Sequence, residues 1–411
     1  MKPSTLILIT SRFPYESVTG PVFISPELPH LSRMFERVII MPMVDDGPLR
    51  PINLPNVEVD NTLIHHPLLR RKWLRGSLML NRHSLGALFR ANFSDLTYTL
   101  SARAVCVALR QRLKKLGLSP DDTLLYSYWF ESQADGAVMT GFPTIIRGHG
   151  HDVWTSRGTP LRRHTVAKAA ALYAASDAAA EHFKSQFPLS TDHIFTAPLG
   201  SLKRYPDAIA KGHNSRDGRL TFITVARAVE GKRPTLTYEF MKKLAIARPG
   251  TQVKWIFVGD GEAISPLREA ICNDTDSGRA PANLTLDLRG ALDNSMVHDI
   301  YTNETIDWHI LLTVSEGGRP ISLCESLSYG VPVAATEVGG VPELIDDDCG
   351  MLLPPDPQSE EFVRGIAPYL DSDFRTDMLR RGAMERWREV ADAEKYAREF
   401  ANRISSTDYR P

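Results

Sequence analysis

The sequence predicts an α/β protein built from two doubly wound, Rossmann-like parallel sheets. Three observations lead to this prediction. The chain has 411 residues, more than one hydrophobic core of ordinary size accommodates. Short apolar runs typical of buried strands alternate with helical runs in both halves of the chain. A polar stretch with Pro, Gly, Asn and many charges, Lys203–Arg219, separates the two halves.

The first half, residues 1–203, opens with Thr5–Thr10, a β-branched apolar run that predicts a buried first strand. Further apolar runs and amphipathic runs follow in alternation. The predicted elements are helix Ile24–Phe35, strand Val38–Pro42, helix Arg103–Leu116, strands Leu124–Trp129 and Pro143–Arg147, and helical runs in Ala167–Phe187 around strand Ala170–Ala174. This order favours an N-terminal parallel sheet covered by helices.

The second half repeats the alternation after a predicted linker at 204–219. Its predicted strands are Leu220–Val225, Val253–Gly259, Leu284–Leu288, Trp308–Val314 and Val331–Thr336, and its predicted helices are Thr235–Ala247, Met296–Thr302, Ser322–Tyr329 and a helical tail over Glu360–Ser405. We therefore place a second domain at 220–385 and a last helical segment at 386–411.

Composition excludes several classes of protein. A net charge of −1 provides no general attraction to nucleic acid. The scattered Cys106, Cys272, Cys324 and Cys349 form no metal-binding motif and indicate reduced thiols in a cytoplasmic protein. No apolar run reaches the length of about 20 residues that a membrane-spanning helix needs. The glycine motifs of dinucleotide-binding and P-loop enzymes do not occur at the first strand.

The most informative stretch is Thr313–Ile345, TVSEGGRPISLCESLSYGVPVAATEVGGVPELI. It places Glu316 and Glu325 around a Gly-Gly-Arg-Pro turn, followed by a helix, a strand and a second turn at Gly339-Gly340. Glycines allow the backbone to approach a ligand closely, and a helix N-terminus offers free N–H groups to a phosphate. A carboxylate inside that helix can accept hydrogen bonds from sugar hydroxyls. The stretch therefore predicts a nucleotide-sugar site.

This stretch resembles the donor-binding signature of retaining glycosyltransferases of the GT-B fold, family 4, the group 1 glycosyl transferases. In that family the carboxylates are usually spaced Glu-x7-Glu. Here the spacing is Glu-x8-Glu, because Gly317-Gly318-Arg319 precedes Pro320. The resemblance implies two Rossmann-like domains with a cleft between them, the donor on the C-terminal domain, the acceptor on the N-terminal domain, and a last helix that crosses back.

Two cations follow the first strand of the second half, Arg227 and Lys232 in VARAVEGKRP. Ligands of open α/β sheets bind beyond the carboxyl ends of the strands, where such cations can hold a diphosphate. The pair resembles the Arg and Lys that replace a metal in family 4. The resemblance therefore implies no metal and no cofactor, only a UDP- or GDP-sugar as donor substrate.

The resemblance also assigns roles to the carboxylates: Glu325 binds the ribose, and Glu316 holds the donor sugar together with N–H groups near Gly317 and Gly318. Gly259 belongs to a turn that resembles the family's strand-end Gly-Asp-Gly, although a lone Gly-Asp-Gly favours an ordinary turn that closes a strand. The predicted donor-binding residues are Gly20, Arg227, Lys232, Gly259, Arg289, Glu316, Gly317, Gly318, Pro320, Ile321, Ser322 and Glu325.

In the first half, His149 and Asp152 follow the strand Pro143–Arg147 and match a His-Gly-x-Asp turn of some family 4 enzymes. There the His contacts the sugar, so both residues join Arg227, Lys232 and Glu316 as predicted catalytic residues. Tyr126–Trp129 resembles a Ser-Tyr-Trp run of polysaccharide-assembling members, among them colanic acid and amylovoran biosynthesis enzymes.

Residues 65–90 hold six Lys or Arg residues and no acidic residue, interleaved with Leu and Trp. The pattern suits a helix on an anionic membrane surface, and it also suits a basic face packed on its own domain. Family members that act on lipid-linked acceptors use such patches, which implies a peripheral position on the inner face of the membrane.

Taken with the resemblance, these patterns predict a retaining, metal-independent hexosyltransferase of cell-surface or exopolysaccharide biosynthesis. Its expected partners are a nucleotide-sugar donor and a saccharide or lipid-linked acceptor. Two alternatives share the ligand: a GT-B nucleotide-sugar epimerase, and a non-catalytic nucleotide-sugar-binding protein, which the altered Glu spacing would favour.

Overall fold

The computed structural model describes residues 3–15, 24–71, 75, 93–155 and 158–407. It forms two compact units: Met1–Pro198 together with Glu394–Pro411, and Leu199–Ala393. Each unit is built on a wholly parallel sheet, of seven strands in the first unit and six in the second among the described residues. The predicted α/β class with two Rossmann-like sheets is confirmed.

The first unit has a sheet of order β3-β2-β1-β4-β5-β6-β7. Its strands are β1 Thr5–Thr10, β2 Arg37–Pro42, β3 Val57–Val59, β4 Thr123–Ser127, β5 Thr144–Gly148, β6 Ala171–Ala174 and β7 Ile194–Thr196. Its helices are α1 Leu28–Met34, α2 Thr62–His65, α3 Pro67–Arg70, α4 Phe93–Lys115, α5 Ser132–Val138, α6 His151–Trp154, α7 Pro160–Lys168 and α8 Asp177–Gln186. Every residue of β1, β4 and β5 is buried, as expected for central parallel strands covered on both faces.

The second unit has a sheet of order β10-β9-β8-β11-β12-β13. Its strands are β8 Arg219–Val225, β9 Gln252–Val258, β10 Leu284–Gly290, β11 Trp308–Leu311, β12 Val333–Thr336 and β13 Gly350–Leu353. Its helices are α9 Pro234–Ala247, α10 Ile264–Asp276, α11 Asn294–Asn303, α12 Ile321–Ser328, α13 Ser359–Leu370 and α14 Asp373–Val390; α15, Ala393–Ser406, follows. The strand order reverses between β8 and β11, which makes their carboxyl ends the expected ligand-binding edge.

Residues 199–218, which include most of the predicted linker, belong to the second unit. Ala210 is buried there and its N–H donates to the carbonyl of Tyr329 at 2.9 Å. The last helix, α15, lies almost wholly in the first unit, where Phe400 and Ile404 are buried in the same core as Leu6. Chain segments from both ends of the sequence therefore complete the first core.

Several elements differ from the sequence-based expectation. Helix α1 begins at Leu28 rather than Ile24, after Pro26. Strand β12 begins at Val333, because Pro332 has no N–H for the ladder. Strand β11 ends at Leu311, three residues early, where the chain leaves the sheet for the loop that carries Glu316. The sequence patterns did not predict β3, β7, β13, α2, α5, α6, α10 or most of α7.

A buried ion pair crosses the first core. Arg147, on β5, is bonded to Glu27, and their side chains are 1% and 3% exposed. Arg147 also donates to the carbonyls of Ala197 and Pro198 at 2.7 and 3.1 Å, and its guanidinium lies 4.5 Å from the ring centre of Phe400. Burial raises the pKa of Glu27 against the opposing effect of Arg147. The arginine thus joins the sheet, the end of the first chain segment and helix α15.

Replacing Glu27 with Gln is expected to lower the free energy of unfolding by about 3–5 kcal/mol, because it leaves the guanidinium of Arg147 buried without a counter-charge. Urea unfolding monitored by circular dichroism measures the loss.

The matched control is Glu58→Gln, which removes the counter-charge of Arg37 in a pair whose side chains are 50% and 40% exposed. This variant is expected to lose less than about 1 kcal/mol. Equal losses in the two variants would contradict the importance of the buried pair.

Candidate functional site

The loops that follow the central strands of the second sheet carry most of the predicted donor-binding residues. Because all strands are parallel, these loops emerge at one edge of the sheet. The loop after β8 holds Arg227 and Lys232, the loop after β9 begins with Gly259, and the loop after β11, residues 312–320, holds Glu316. Residues that lie far apart in the sequence therefore meet at the strand-order reversal.

Lys232 and Glu316 form an ion pair across this edge, with side chains 24% and 14% exposed. The backbone holds the two loops in register: Val314 N–H donates to the carbonyl of Gly231 at 2.9 Å, and the hydroxyl of Thr313 donates to the same oxygen at 3.3 Å. The side chain of Arg227, in the same loop as Lys232, is exposed and has no hydrogen-bond partner among the described residues. The arrangement offers one paired and one available cation to an anionic ligand.

Glycine is required where the loops approach each other. Gly339 has φ +53°, and a Cβ there would overlap the carbonyl oxygen of Glu316. Gly259 has φ +150°, and a Cβ there would overlap the carbonyl oxygen of Ala226, which precedes Arg227. The second Gly-Gly turn and the Gly-Asp-Gly turn therefore support the backbone that carries Glu316 and Arg227.

Helix α12 starts directly after the Glu316 loop, which contains Gly317 and Gly318. The carbonyl of Pro320, at its N-cap, accepts from Leu323 and Cys324 at 3.0 and 3.1 Å. The N–H groups of Ile321 and Ser322, in the first turn, have no intrahelical acceptor. These N–H groups are donors suited to an anion or a sugar oxygen.

Glu325 is buried in the middle of α12, with its side chain 4% exposed. Its Oε1 accepts a hydrogen bond from the amide of Asn294 at 2.6 Å, and Nε2 of His298 lies 3.8 Å away. Burial raises the pKa of Glu325 to about 7, and the bond from Asn294 opposes the shift only in part. Oε2 has no partner among the described residues, so this oxygen is available to a ligand hydroxyl.

The surroundings of Glu325 contain histidines that the sequence analysis missed. Burial, followed by the charge of Arg204, lowers the pKa of His298 to about 4, and burial lowers that of His309 to about 3. Both are therefore neutral near pH 7. His309, on β11, bonds through Nδ1 to the hydroxyl of Ser326 and thereby fixes α12 against the sheet. No sequence motif marks these residues, because they come from separate elements.

Arg289, a predicted donor-binding residue near the end of β10, uses its side chain for contacts within the second unit. Its guanidinium bonds to Asp287 at 2.7 Å and to Glu304 at 2.5 and 2.8 Å. The carbonyl of Gly290 accepts from Gly259 N–H at 2.8 Å. Any contact of this turn with a ligand would accordingly come from its backbone.

In the first unit, Asp152 organises the loop after β5. Its carboxylate accepts from the N–H groups of His149, Gly150 and Phe130 at 3.0, 2.8 and 3.0 Å. Burial raises the pKa of Asp152 despite these donors. The side chain is 4% exposed and binds the backbone of two loops, which joins the ends of β4 and β5.

His149 lies between the rings of Tyr128 and Trp129, with centroids 4.5 and 4.6 Å away. Burial, assisted by the charge of Arg147, lowers the pKa of His149 well below its ordinary value. The imidazole is therefore neutral near pH 7. Nε2 lies 2.7 Å from the carbonyl of Tyr128, and a carbonyl only accepts, so Nε2 carries the proton. A neutral imidazole suits hydrogen bonding rather than proton donation.

Two predictions fall largely outside the described residues. Gly20 lies outside them, as do 72–74 and 76–90 of the basic stretch 65–90. Arg75 is described, and its guanidinium donates to the carbonyls of Leu68 and Leu69 and to the hydroxyl of Ser101. Within the described ranges, no helix has the length and apolar character to cross a membrane, and no cluster of metal-ligating side chains occurs.

Known proteins share sequence similarity with the second half of the chain and with its predicted donor-binding region. Residues 207–386 match the family "Glycosyl transferases group 1". One component of the phosphatidylinositol N-acetylglucosaminyltransferase of Arabidopsis thaliana is 28% identical over 148 residues, which are 36% of this chain and 30% of the plant protein. The chain thus spans less than a third of that relative.

Solved structures similar over nearly the whole chain include the lipopolysaccharide outer core galactosyltransferase WaaB in its apo form (TM-score 0.64, 16% identity, 98% of this chain and 99% of that chain). The trehalose 6-phosphate synthase of Burkholderia multivorans has a TM-score of 0.66 at 15% identity over 98% and 97%. Anabaena HepE, in complex with UDP and glucose, has a TM-score of 0.64 at 16% identity over 98% and 99%. At this identity the similarity shows the fold, which is GT-B, and the match to the family of group 1 glycosyl transferases lies within the second unit.

Proposed function

We propose that the protein is a retaining hexosyltransferase, resembling family 4, which transfers a sugar from a UDP- or GDP-sugar to a saccharide or lipid-linked acceptor. The observation that carries this proposal is the pairing of Lys232 with Glu316 at the strand-order reversal of a group 1 glycosyl transferase domain. A cation for the diphosphate and a carboxylate for the sugar lie side by side there.

The names of the similar proteins support the kind of substrate. HepE was solved with UDP and glucose, and WaaB is named as a galactosyltransferase of the lipopolysaccharide outer core. The plant relative is named for transfer to phosphatidylinositol. These names favour an acceptor in cell-surface or exopolysaccharide assembly, and a colanic acid or amylovoran type of pathway is one such case. Membrane contact through 65–90 stays a prediction.

The donor would bind by exchanging partners within the site. Without donor, Lys232 is neutralised by Glu316. A diphosphate brought to Lys232 and the exposed Arg227 displaces that carboxylate, which then accepts hydrogen bonds from the donor sugar. Oε2 of Glu325 accepts from the ribose, and the first turn of α12 donates to the ligand beside the Gly-Gly turn. The two cations then stabilise the departing nucleoside diphosphate without a metal.

The loop after β5 would serve the sugar and the acceptor. Because His149 is neutral, we propose that it orients a hydroxyl by a hydrogen bond and does not supply a proton. Asp152 positions His149 by binding its backbone N–H. In this proposal His149 contacts the substrate, and Asp152 acts indirectly by positioning His149.

The function is tested by incubating the protein with a panel of UDP- and GDP-sugars and a membrane lipid extract, with mass-spectrometric detection of products. Acceptor-dependent release of UDP or GDP is expected. Lys232→Ala is expected to lower this turnover about a hundredfold or more, because one preorganised donor to a developing charge contributes that much.

Lys243→Ala is the matched control, since Lys243 also pairs with a carboxylate, that of Glu360, at 2.7 Å on the surface of the same unit. It should retain turnover. Conversion of the donor without acceptor would instead identify an epimerase, and tight donor binding without any turnover would identify a binding protein.

Replacing Glu316 with Gln is expected to strengthen binding of UDP or GDP about fivefold, since the nucleotide no longer competes with a carboxylate for Lys232. Sugar transfer should fall about tenfold or more, because a charged acceptor to the sugar is lost. Isothermal titration with the nucleotide and the transfer assay measure the two effects separately.

Glu337→Gln controls for a general loss of negative charge, because Glu337 is an exposed carboxylate that follows the neighbouring strand β12. Its nucleotide affinity should stay within about twofold of the parent value. Weaker nucleotide binding by Glu316→Gln would show that Glu316 only positions Lys232, and would contradict the exchange.

Nucleotide affinity is expected to rise with pH through about 7, because the ionised form of Glu325 accepts the ribose hydroxyls and its pKa is raised to about 7. The same shift has a defined effect on stability. Between pH 4.5 and about 7 the folded chain keeps the proton of Glu325, whereas the unfolded chain has lost it. The stability that protonated Glu325 contributes is therefore fully present below pH 4.5 and is lost as the pH rises through about 7.

Glu325→Gln separates this effect from titration of the terminal phosphate of the nucleotide. The variant should lose the part of the pH dependence that belongs to the protein, in titrations of UDP and GDP binding. An unchanged pH profile in the variant would remove Glu325 from the ribose site.

A further inference from the structure

Arg319 is a charged residue beside the candidate site that the proposed function does not use. It lies in the lengthened turn between Glu316 and Pro320, where the Glu-x8-Glu spacing departs from the usual pattern. Its side chain is only 9% exposed. The guanidinium donates to the carbonyl of Val390 and lies 3.6 Å from the carboxylate of Glu343. The turn therefore sends a buried cation away from the donor-binding edge toward the end of helix α14.

Val390 is the last residue of α14, and its carbonyl belongs to the final turn, which has no intrahelical donor. An arginine there satisfies the carbonyl and complements the negative end of the helix dipole. Directly after this turn the chain leaves the second unit, between Ala393 and Glu394. Arg319 thus holds the point from which the chain returns to the first unit.

The second connection between the units lies beside the first. The chain enters the second unit between Pro198 and Leu199. Ser201 N–H donates to the carbonyl of Ala391 at 2.9 Å, and Ala393 N–H donates to the carbonyl of Ser201 at 3.3 Å. The indole of Trp387 donates to the hydroxyl of Ser201 at 3.2 Å. These bonds make the two connections one hydrogen-bonded pair.

The pairing is close enough to require glycine. A Cβ at Gly200 would overlap the carbonyl oxygen of Ala391, so the two connecting segments pack backbone against backbone. A displacement of the end of α14 therefore carries both connections with it. A path from the donor loop to this pair runs through the guanidinium of Arg319 and the carbonyl of Val390.

We propose that Arg319 is a positioning residue that couples the donor-binding loop to both connections between the units. The inference rests on the proposed nucleotide-sugar site. When a ligand replaces Glu316 as the partner of Lys232, the backbone of loop 316–320 shifts. Arg319 transmits this shift to Val390 and to the paired segments at 199–201 and 391–393. Arg319, in the lengthened Glu-x8-Glu turn, thereby connects the donor-binding loop to the two connections between the units.

Hydrogen–deuterium exchange of the full chain, with and without saturating UDP or GDP, tests the coupling. In the parent protein the nucleotide is expected to slow exchange at the amides of Ser201 and Ala393 about fivefold or more, the lower end of usual coupling between sites. In Arg319→Ala this slowing is lost, while the nucleotide dissociation constant stays within about threefold and exchange at the Lys232 loop still responds.

Arg386→Ala is the matched control. Arg386 lies on the same helix, and its guanidinium donates to the carbonyls of Leu344 and Glu343 at 3.0 Å each, whereas the carbonyl of Val390 accepts from Arg319. It should keep the response at Ser201 and Ala393, which distinguishes coupling from a general loosening of α14. Equal loss of the response in Arg386→Ala would overturn the proposal.

Two further outcomes would also overturn it: persistence of the nucleotide response at Ser201 and Ala393 in Arg319→Ala, or its absence from the parent protein. Titration of the parent protein separates these from a failure of the proposed function. If neither UDP nor GDP binds, the nucleotide site itself is wrong; if one binds through Lys232 without a response at the connections, only the coupling is wrong. Arg319→Lys, which keeps the charge but replaces the planar guanidinium with an ammonium group, should retain part of the response.

Discussion

The pairing of Lys232 with Glu316 is the constraint on which the candidate site depends. It joins the loops after β8 and β11, the two strands between which the strand order reverses. Parallel strands bring these loops to one edge, and Gly339 lets a third loop pack directly on the backbone of Glu316. The backbone bond from Val314 to Gly231 fixes the spacing. Three loops therefore hold the ion pair in place. Replacement of the ion pair by a ligand would affect the backbone of each of these loops.

The buried carboxyl groups of the two units, Glu325 and Asp152, differ in their hydrogen-bond partners. In the second unit Glu325 is buried without a cationic partner, since the neighbouring His298 is neutral, and burial raises the pKa of the carboxyl group. A ligand hydroxyl would relieve part of that unfavourable desolvation. In the first unit Asp152 is equally buried but is satisfied by three backbone donors. Glu325 thus has capacity left for a ligand, whereas Asp152 serves its loop.

The sequence could predict the central strands because strands such as β1 and β4 are buried on both faces and are therefore continuously apolar. It could not predict α5, whose sequence SQADGAV contains a glycine and polar residues, because tertiary packing rather than periodicity makes it a helix. Within the site, Lys232 and Glu316 follow strands and could be placed together. Asn294 and His298 could not, because their relation to Glu325 exists only after α11 packs beside α12.

The extra residue of the Glu-x8-Glu turn illustrates how a loop can lengthen without losing its site. An added residue between the two predicted donor-binding carboxylates would separate them from their partners if it shifted the chain along this edge of the sheet. Instead Arg319 turns away and is held by Val390 and Glu343, while Gly317 and Gly318 give the backbone the freedom to do so. Glu316 consequently still reaches Lys232, and Glu325 keeps its place in α12. The altered spacing thus preserves the ion pair and adds an anchor at the end of α14.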